Sequence, residues 1–121
     1  MFKFDSIFAL AKQITARQTD PREYIRREGI IGGKLFGPIA PGHHREFFCL
    51  DDRTWVWHEE WLDNANVKQS KTTRYEVHHD KVIKIQNGEY YKVEAEEALN
   101  LYKAVKIYCR KVKAELYTQA A

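Results

Sequence analysis

Apolar residues along the chain change their period twice. Up to residue 29 they recur with helical spacing, from residue 45 to 93 they alternate, and from residue 94 the helical spacing returns. In the stretch DSIFALAKQITARQ, the positions Ile7, Leu10, Ala11 and Ile14 fall at i, i+3, i+4 and i+7, one stripe of an amphipathic helix. Asp5 or Ser6 can cap its free N–H groups. A shorter helix follows in TDPREYIRREG. Asp20 is placed as its cap, Pro21 takes the first helical position, where a missing N–H costs nothing, and Gly29 suits the left-handed residue that closes it.

IIGGKLFGPIAPG is punctuated by glycine and proline, and predicts one strand over about 30–36 followed by a loop. It is not a phosphate loop. That motif needs a glycine five residues before Gly33 and a Ser or Thr after Lys34, where this chain has Glu28 and Leu35.

From residue 45 the alternation marks strands. REFFCL and TWVWHEEW flank Asp51, Asp52 and Arg53, and form a hairpin. TTRYEVH and KVIKIQ flank His79-Asp80 and form a second. Asn87-Gly88 then joins KVIKIQ to EYYKV through the strongest short hairpin signal there is. LDNANVKQSK, between the first two hairpins, reads as a polar loop without periodicity.

The last segment carries Ala98, Leu101, Tyr102, Val105, Tyr108, Cys109, Val112 and Leu116 on one helical stripe. Glu94, Glu96 and Glu97 stand at its start and Lys106, Arg110, Lys111 and Lys113 toward its end, as the helix dipole favours. The expected architecture is α+β, a single domain over residues 1–121. It has N-terminal helices, an antiparallel meander of five strands (six if 30–36 is counted), and a long C-terminal helix packed on the sheet.

Composition adds limits. With 121 residues, 44% hydrophobic and 31% charged, the chain can bury a core without metal or disulfide staples. Cys49 and Cys109 fit no zinc or CxxC spacing and read as small reduced core residues. The start, MFKFDSIFALAKQ, has neither a cleavage site nor the length to span a membrane, so a cytoplasmic protein is expected. The net charge of +3 is unevenly spread: residues 41–66 carry two Lys/Arg against six Asp/Glu, between basic flanks. An interrupted basic surface argues against nucleic acid as a partner.

The candidate chemistry lies in TWVWHEEW, which holds all three tryptophans of the chain. HEEWL begins like a HExxH zinc motif, but Leu62 stands at the second ligand position, and the stretch alternates like a strand. The five histidines lie between residues 43 and 79. Adjacent strand residues face opposite ways, so at most one each of His43-His44 and His78-His79 can join His58. No metal or other cofactor is expected.

Alternation also separates the central triplet. Trp55, Trp57, Glu59 and Trp61 share one face, and Val56, His58 and Glu60 the other, so His58 and Glu59 cannot act as one acid–base pair. Hairpin register then selects the partner of Glu59. Pairing Leu50 with Trp55 sets Glu46 against Glu59, two like charges. Pairing Leu50 with Thr54 sets Arg45 against Glu59, Glu46 against His58, and Phe47 against Trp57, which is complementary throughout. That register is expected, although its three-residue loop prefers Gly or Asn where Arg53 stands.

Two readings of Glu59 follow. In one it is an ion pair with Arg45 near the sheet end, and the tryptophans pack under helices. In the other the Trp row is a floor where Glu59 meets a cationic or hydroxyl-bearing ligand. Burial there would raise its pKa and make it a candidate general acid. The leading functional expectation is a non-enzymatic binding module that uses the aromatic sheet or the C-terminal helix. Its candidate ligand-binding residues are Arg45, Trp55, Trp57, Glu59 and Trp61, and its partner is a protein or a second copy of the chain. The alternatives are a small enzyme with a Trp-lined site around Glu59, and a nucleic-acid accessory protein.

Overall fold

The computed structural model describes residues 4–12 and 21–117. Helix α1 (Phe4–Lys12) buries Ile7 and Ala11. The expected positions of Ile14, Asp20 and the Asp5 side chain lie outside the described residues. Helix α2 (Pro21–Gly33) passes through Gly29 without stopping, and a 3-10 turn over Lys34–Phe36 follows it. Residues 30–36 therefore form no strand, and the sheet has five strands, not six.

The reason lies in the glycines. Gly29, Gly32 and Gly33 fall at i, i+3 and i+4, so they form one bare face of α2, and that face lies against the edge of the sheet. A Cβ on Gly32 would sit 2.0 Å from the Phe47 carbonyl oxygen, and one on Gly33 2.0 Å from that of Arg45. These glycines serve close packing of backbone on backbone, and helix termination is left to Gly37, whose φ is +108°. The last turn of α2 contains no basic residue. Arg45 does that work from the neighbouring strand, donating from Nε to the Gly33 carbonyl (2.7 Å) and from Nη2 to the Gly37 carbonyl (2.6 Å).

The strands are β1 (His44–Asp51), β2 (Thr54–Leu62), β3 (Lys68–Val77), β4 (Val82–Gln86) and β5 (Glu89–Lys92). They form an antiparallel meander in the order β1-β2-β3-β4-β5. The expected register of the first hairpin is present: Arg45 pairs with Glu59, Glu46 with His58 and Phe47 with Trp57. Leu50, however, does not pair with Thr54. It is bulged out, Asp51 takes Thr54, and the loop shortens to Asp52-Arg53. Neither loop residue has positive φ, so Arg53 need not be glycine. The extra residue at Leu50 supplies the twist that such a turn lacks.

The Asn87-Gly88 turn has φ of 54° and 76°, as a type I′ hairpin demands. The segment expected as a polar loop after β2 is half strand, because β3 already begins at Lys68. Its turn is organised by Asp63, whose Oδ1 accepts from the Ala65 and Val67 N–H groups and whose Oδ2 accepts from Gln69. Those bonds hold its carboxyl below the usual range.

Helix α3 (Ala95–Val112) lies across the sheet face that carries Phe47, Cys49, Trp55, Val77 and Val82. Its stripe is buried at Ala98, Leu101, Val105, Tyr108, Cys109 and Val112, with Tyr102 and Leu116 packed at the margin. Tyr108 stands edge-on to both Phe47 and Trp55, at 5.6 and 5.0 Å between ring centroids. Its hydroxyl donates to Glu28 Oε1 at 3.0 Å, a carboxylate wholly buried on α2. Both cysteines are buried and unbridged. Among the described residues no helix is long and apolar enough to cross a membrane.

Candidate functional site: a groove beyond the C-terminal helix

Cross-strand pairs share a face, so register places the side chains that surround Glu59. Next to it stand Arg45 on β1 and Lys71 on β3. One step toward the core, Phe47, Trp57, Thr73 and Gln86 form the next row. The one after holds Cys49, Trp55, Tyr75, Lys84 and Tyr91. Because β4 pairs only with residues 73–77 of β3, the far ends of β2 and β3 project beyond it.

The five residues expected at the site separate along this ladder. Trp55 is wholly buried, stacked on Phe47 at 5.3 Å. It belongs to the core, and its indole nitrogen has no hydrogen-bond partner among the described residues. Trp57 is half-buried and meets Phe36 edge to face at 4.5 Å. Its indole N–H donates to the Glu59 carboxylate. Arg45 lies over the Trp57 ring, its guanidinium carbon 5.7 Å from the centroid. Trp61 is part-exposed at the end of β2, opposite Gln69. So the structure brings together Arg45, Trp57 and Glu59, leaves Trp61 at the margin and removes Trp55.

Arg45 and Glu59 are neighbours in register but form no ion pair. The guanidinium is held by the backbone carbonyls of Gly33 and Gly37, and the carboxylate by Trp57.

Phe36, Tyr75, Lys71, Lys84 and Glu97 also line the site, and none of them is among the five residues expected there. Phe36, Phe47, Trp57, Tyr75, Leu101 and Ala104 line an open apolar slot of about 160 Å³, with Glu97 and Asn100 as its polar lining. Trp57 and Tyr75 also wall a polar groove of about 280 Å³, completed by Glu59, Lys71, Thr73, Lys84 and Gln86. The two spaces share Trp57 and Tyr75 as walls. Glu97, on the first turn of α3, links helix to sheet: it accepts from the Tyr75 hydroxyl at 2.9 Å and lies 3.1 Å from Lys84 Nζ. Burial, reinforced by Glu97, pushes the Tyr75 phenol well above the ordinary tyrosine range. Gln86 donates to Thr73 at 2.8 Å. Lys71 has no hydrogen-bond or ion-pair partner among the described residues.

The chain matches no known protein family, no curated protein and no solved structure. What the site can do must come from its geometry.

On the opposite face His58 is bound on both sides, by Thr72 at 2.7 Å and Glu60 at 2.8 Å, and Lys68 lies 2.9 Å from Glu60. His58, then Lys68, lowers the Glu60 carboxyl to about 2. That cluster faces away from Glu59, as alternation requires. Among the described residues no three His, Cys, Asp or Glu side chains are placed to share a metal ion.

Proposed function

We propose that this protein is a non-enzymatic binding module whose contact surface is the groove around Trp57 and Glu59. The observation that carries this reading is an apolar slot beside a polar groove, with Trp57 and Tyr75 as walls of both. An apolar pocket with a few convergent polar groups is the usual form of a small-molecule site. The C-terminal helix is the weaker choice, since its apolar stripe is used in the core. The enzyme alternative needs a buried, unpaired Glu59. Here that carboxylate is only half-buried and accepts a hydrogen bond from its own strand neighbour.

The test uses the three indole N–H signals in a ¹H–¹⁵N spectrum, titrated with cyclohexanol and with phenol. Saturable shifts of the Trp57 signal, with Trp55 unmoved, are expected. Shifts confined to other regions would remove the groove from consideration. Turnover of chromogenic ester, glycoside or phosphate substrates that disappears in Glu59→Gln would make the protein an enzyme instead.

A further inference from the structure

We infer that the open edge of β3 beside the groove takes an extended peptide of a partner protein as an added strand, with a carboxylate opposite Lys71. The inference rests on the binding-module reading and adds the class of partner. Backbone direction comes first. At one end of β3 the Val77 N–H bonds the Arg53 carbonyl, and at the other the Val67 carbonyl accepts from the Asp63 N–H, both on the β2 side. The pairing between them runs without a bulge, from Thr54 with Glu76 to Leu62 with Lys68. Odd-numbered residues of β3 therefore turn their N–H and C=O groups to β2, and even-numbered ones turn theirs away. For Arg74 and Glu76 that outer side is β4. Lys68 and Ser70 lie beyond it, because Gln86, opposite Thr73, is the last residue of β4 and Asn87-Gly88 turns the chain back into β5. Their outward N–H and C=O groups have no hydrogen-bond partner among the described residues. Lys68, Ser70, Lys71 and Thr72 are all exposed.

A row of free backbone donors and acceptors is matched by another extended backbone, which is how peptides are recognised by strand addition. The edge from Lys68 to Lys71 spans about 13 Å at the ordinary strand rise, room for about four peptide residues. The outer edge of β1 is closed to such a partner, since α2 is pressed against it.

Cross-strand rows fix the side chain that fits. The row through Arg45, Glu59 and Lys71 alternates in sign, and an added residue would stand directly next to Lys71. Glu59 lies one strand farther off, at roughly twice the distance, so attraction to Lys71 outweighs repulsion from Glu59. That carboxylate already accepts the Trp57 indole N–H. The added position also continues the line of β4 past Gln86, which together with Lys71 lines the polar groove. A second copy of the chain fits less well. Two such edges paired about Ser70 would set Lys68 and Lys71 of both copies along one ribbon, and lysine is a usual guard against the pairing of like edges.

Hydrogen exchange read by ¹H–¹⁵N spectra tests this, with a blocked Thr-Val-Thr-Glu-Thr-Val peptide, its Glu→Lys counterpart and a fully N-methylated form. In the free protein the Ser70 amide should exchange faster than those of Gln69 and Lys71. At saturation the glutamate peptide should slow Ser70 exchange by about ten-fold or more. It should bind roughly three- to ten-fold tighter than the lysine peptide, and Lys71→Glu should reverse that order. Ser70→Pro removes an N–H that β2 does not use and should abolish binding. If that variant melts early, the N-methylated peptide serves in its place and should not bind. No protection of Ser70 at millimolar peptide, or equal binding of the N-methylated form, would overturn the added strand. The response of Trp57 to cyclohexanol and phenol then decides separately whether the groove reading stands. Equal binding of the lysine peptide would overturn the carboxylate. Protection of Ser70 that grows with protein concentration and needs no peptide would give the edge to a second copy and overturn the partner class.

Discussion

Glu59 takes its hydrogen bond from Trp57, two positions back on its own strand, and not from the arginine opposite. Register and partnership are thus separate questions. Register follows from backbone pairing and charge complementarity along a whole strand, but a long guanidinium goes to whatever acceptors are least solvated. For Arg45 those are the carbonyls of Gly33, at the end of α2, and of Gly37, just past the 3-10 turn. The same logic explains Glu28, which local sequence marks only as a misfit to a phosphate loop. It is wholly buried and accepts the Tyr108 hydroxyl, a partner 80 residues away. Burial, then Glu28, pushes the Tyr108 phenol far above its usual range, and Tyr75 is raised in the same sense. A phenol whose pKa is raised by folding contributes stability that is whole below about pH 10 and is lost as pH climbs toward the folded value. In an alkaline absorbance titration Tyr75 and Tyr108 should therefore ionise only as the protein unfolds. Tyr108→Phe should remove part of that pH dependence and lower stability at pH 7 by about 1–3 kcal/mol, read from denaturant midpoints. Ionisation of every tyrosine near pH 10 in the folded protein would show that both phenols are solvated.

At the scale of elements, periodicity identified α3 and every strand that carries the sheet, because alternation and 3.6-residue spacing are direct imprints of which face is buried. It failed at residues 30–36. Gly29 taken alone reads as a stop signal, whereas Gly29, Gly32 and Gly33 together, at i, i+3 and i+4, mark a bare helix face. A helix can run through three such glycines when its backbone is pressed on a strand, which shields the groups that glycine leaves bare. It also covers the outer edge of β1, where free N–H and C=O groups would invite pairing with another chain. Gly32→Ala should accordingly lift α2 from β1 and cost about 3 kcal/mol, measured as a lower denaturant midpoint. Exposed Gly42, with nothing within 4 Å of an added Cβ, is the control for a strain that comes from φ (+78°) alone. A Gly32→Ala protein as stable as the parent would mean that helix and strand separate freely.

For the whole molecule, the exposed side of α3 aligns Lys103, Lys106 and Arg110, and Lys113 continues the stripe just past its end. Four cations on one stripe neutralise about four phosphates, which gives a salt slope of about −3 to −4 on duplex DNA. Binding to generic DNA should therefore be weak and lost by moderate salt, since the acidic 41–66 segment opposes further contact. A slope near −6 with micromolar affinity at physiological salt would show the basic flanks converging on one face, and would favour the nucleic-acid alternative.

The α+β class, the meander order, the first-hairpin register and the stripe of α3 were all legible in the chain, because each depends on spacing within one segment or on the nearest turn. The groove was not. Phe36 reaches it from a turn between α2 and β1, Tyr75, Lys71 and Lys84 from later strands, and Glu97 from the start of α3. No local pattern joins these four separate segments. Trp55 and Trp57 are equivalent in sequence, two alternate residues on one face. Trp55 lies against Tyr108 of α3 and is wholly buried, whereas Trp57 is half-buried at the side of α3, by Leu101 and Ala104, and is left as the wall of a groove; only the placement of the helix decides between them.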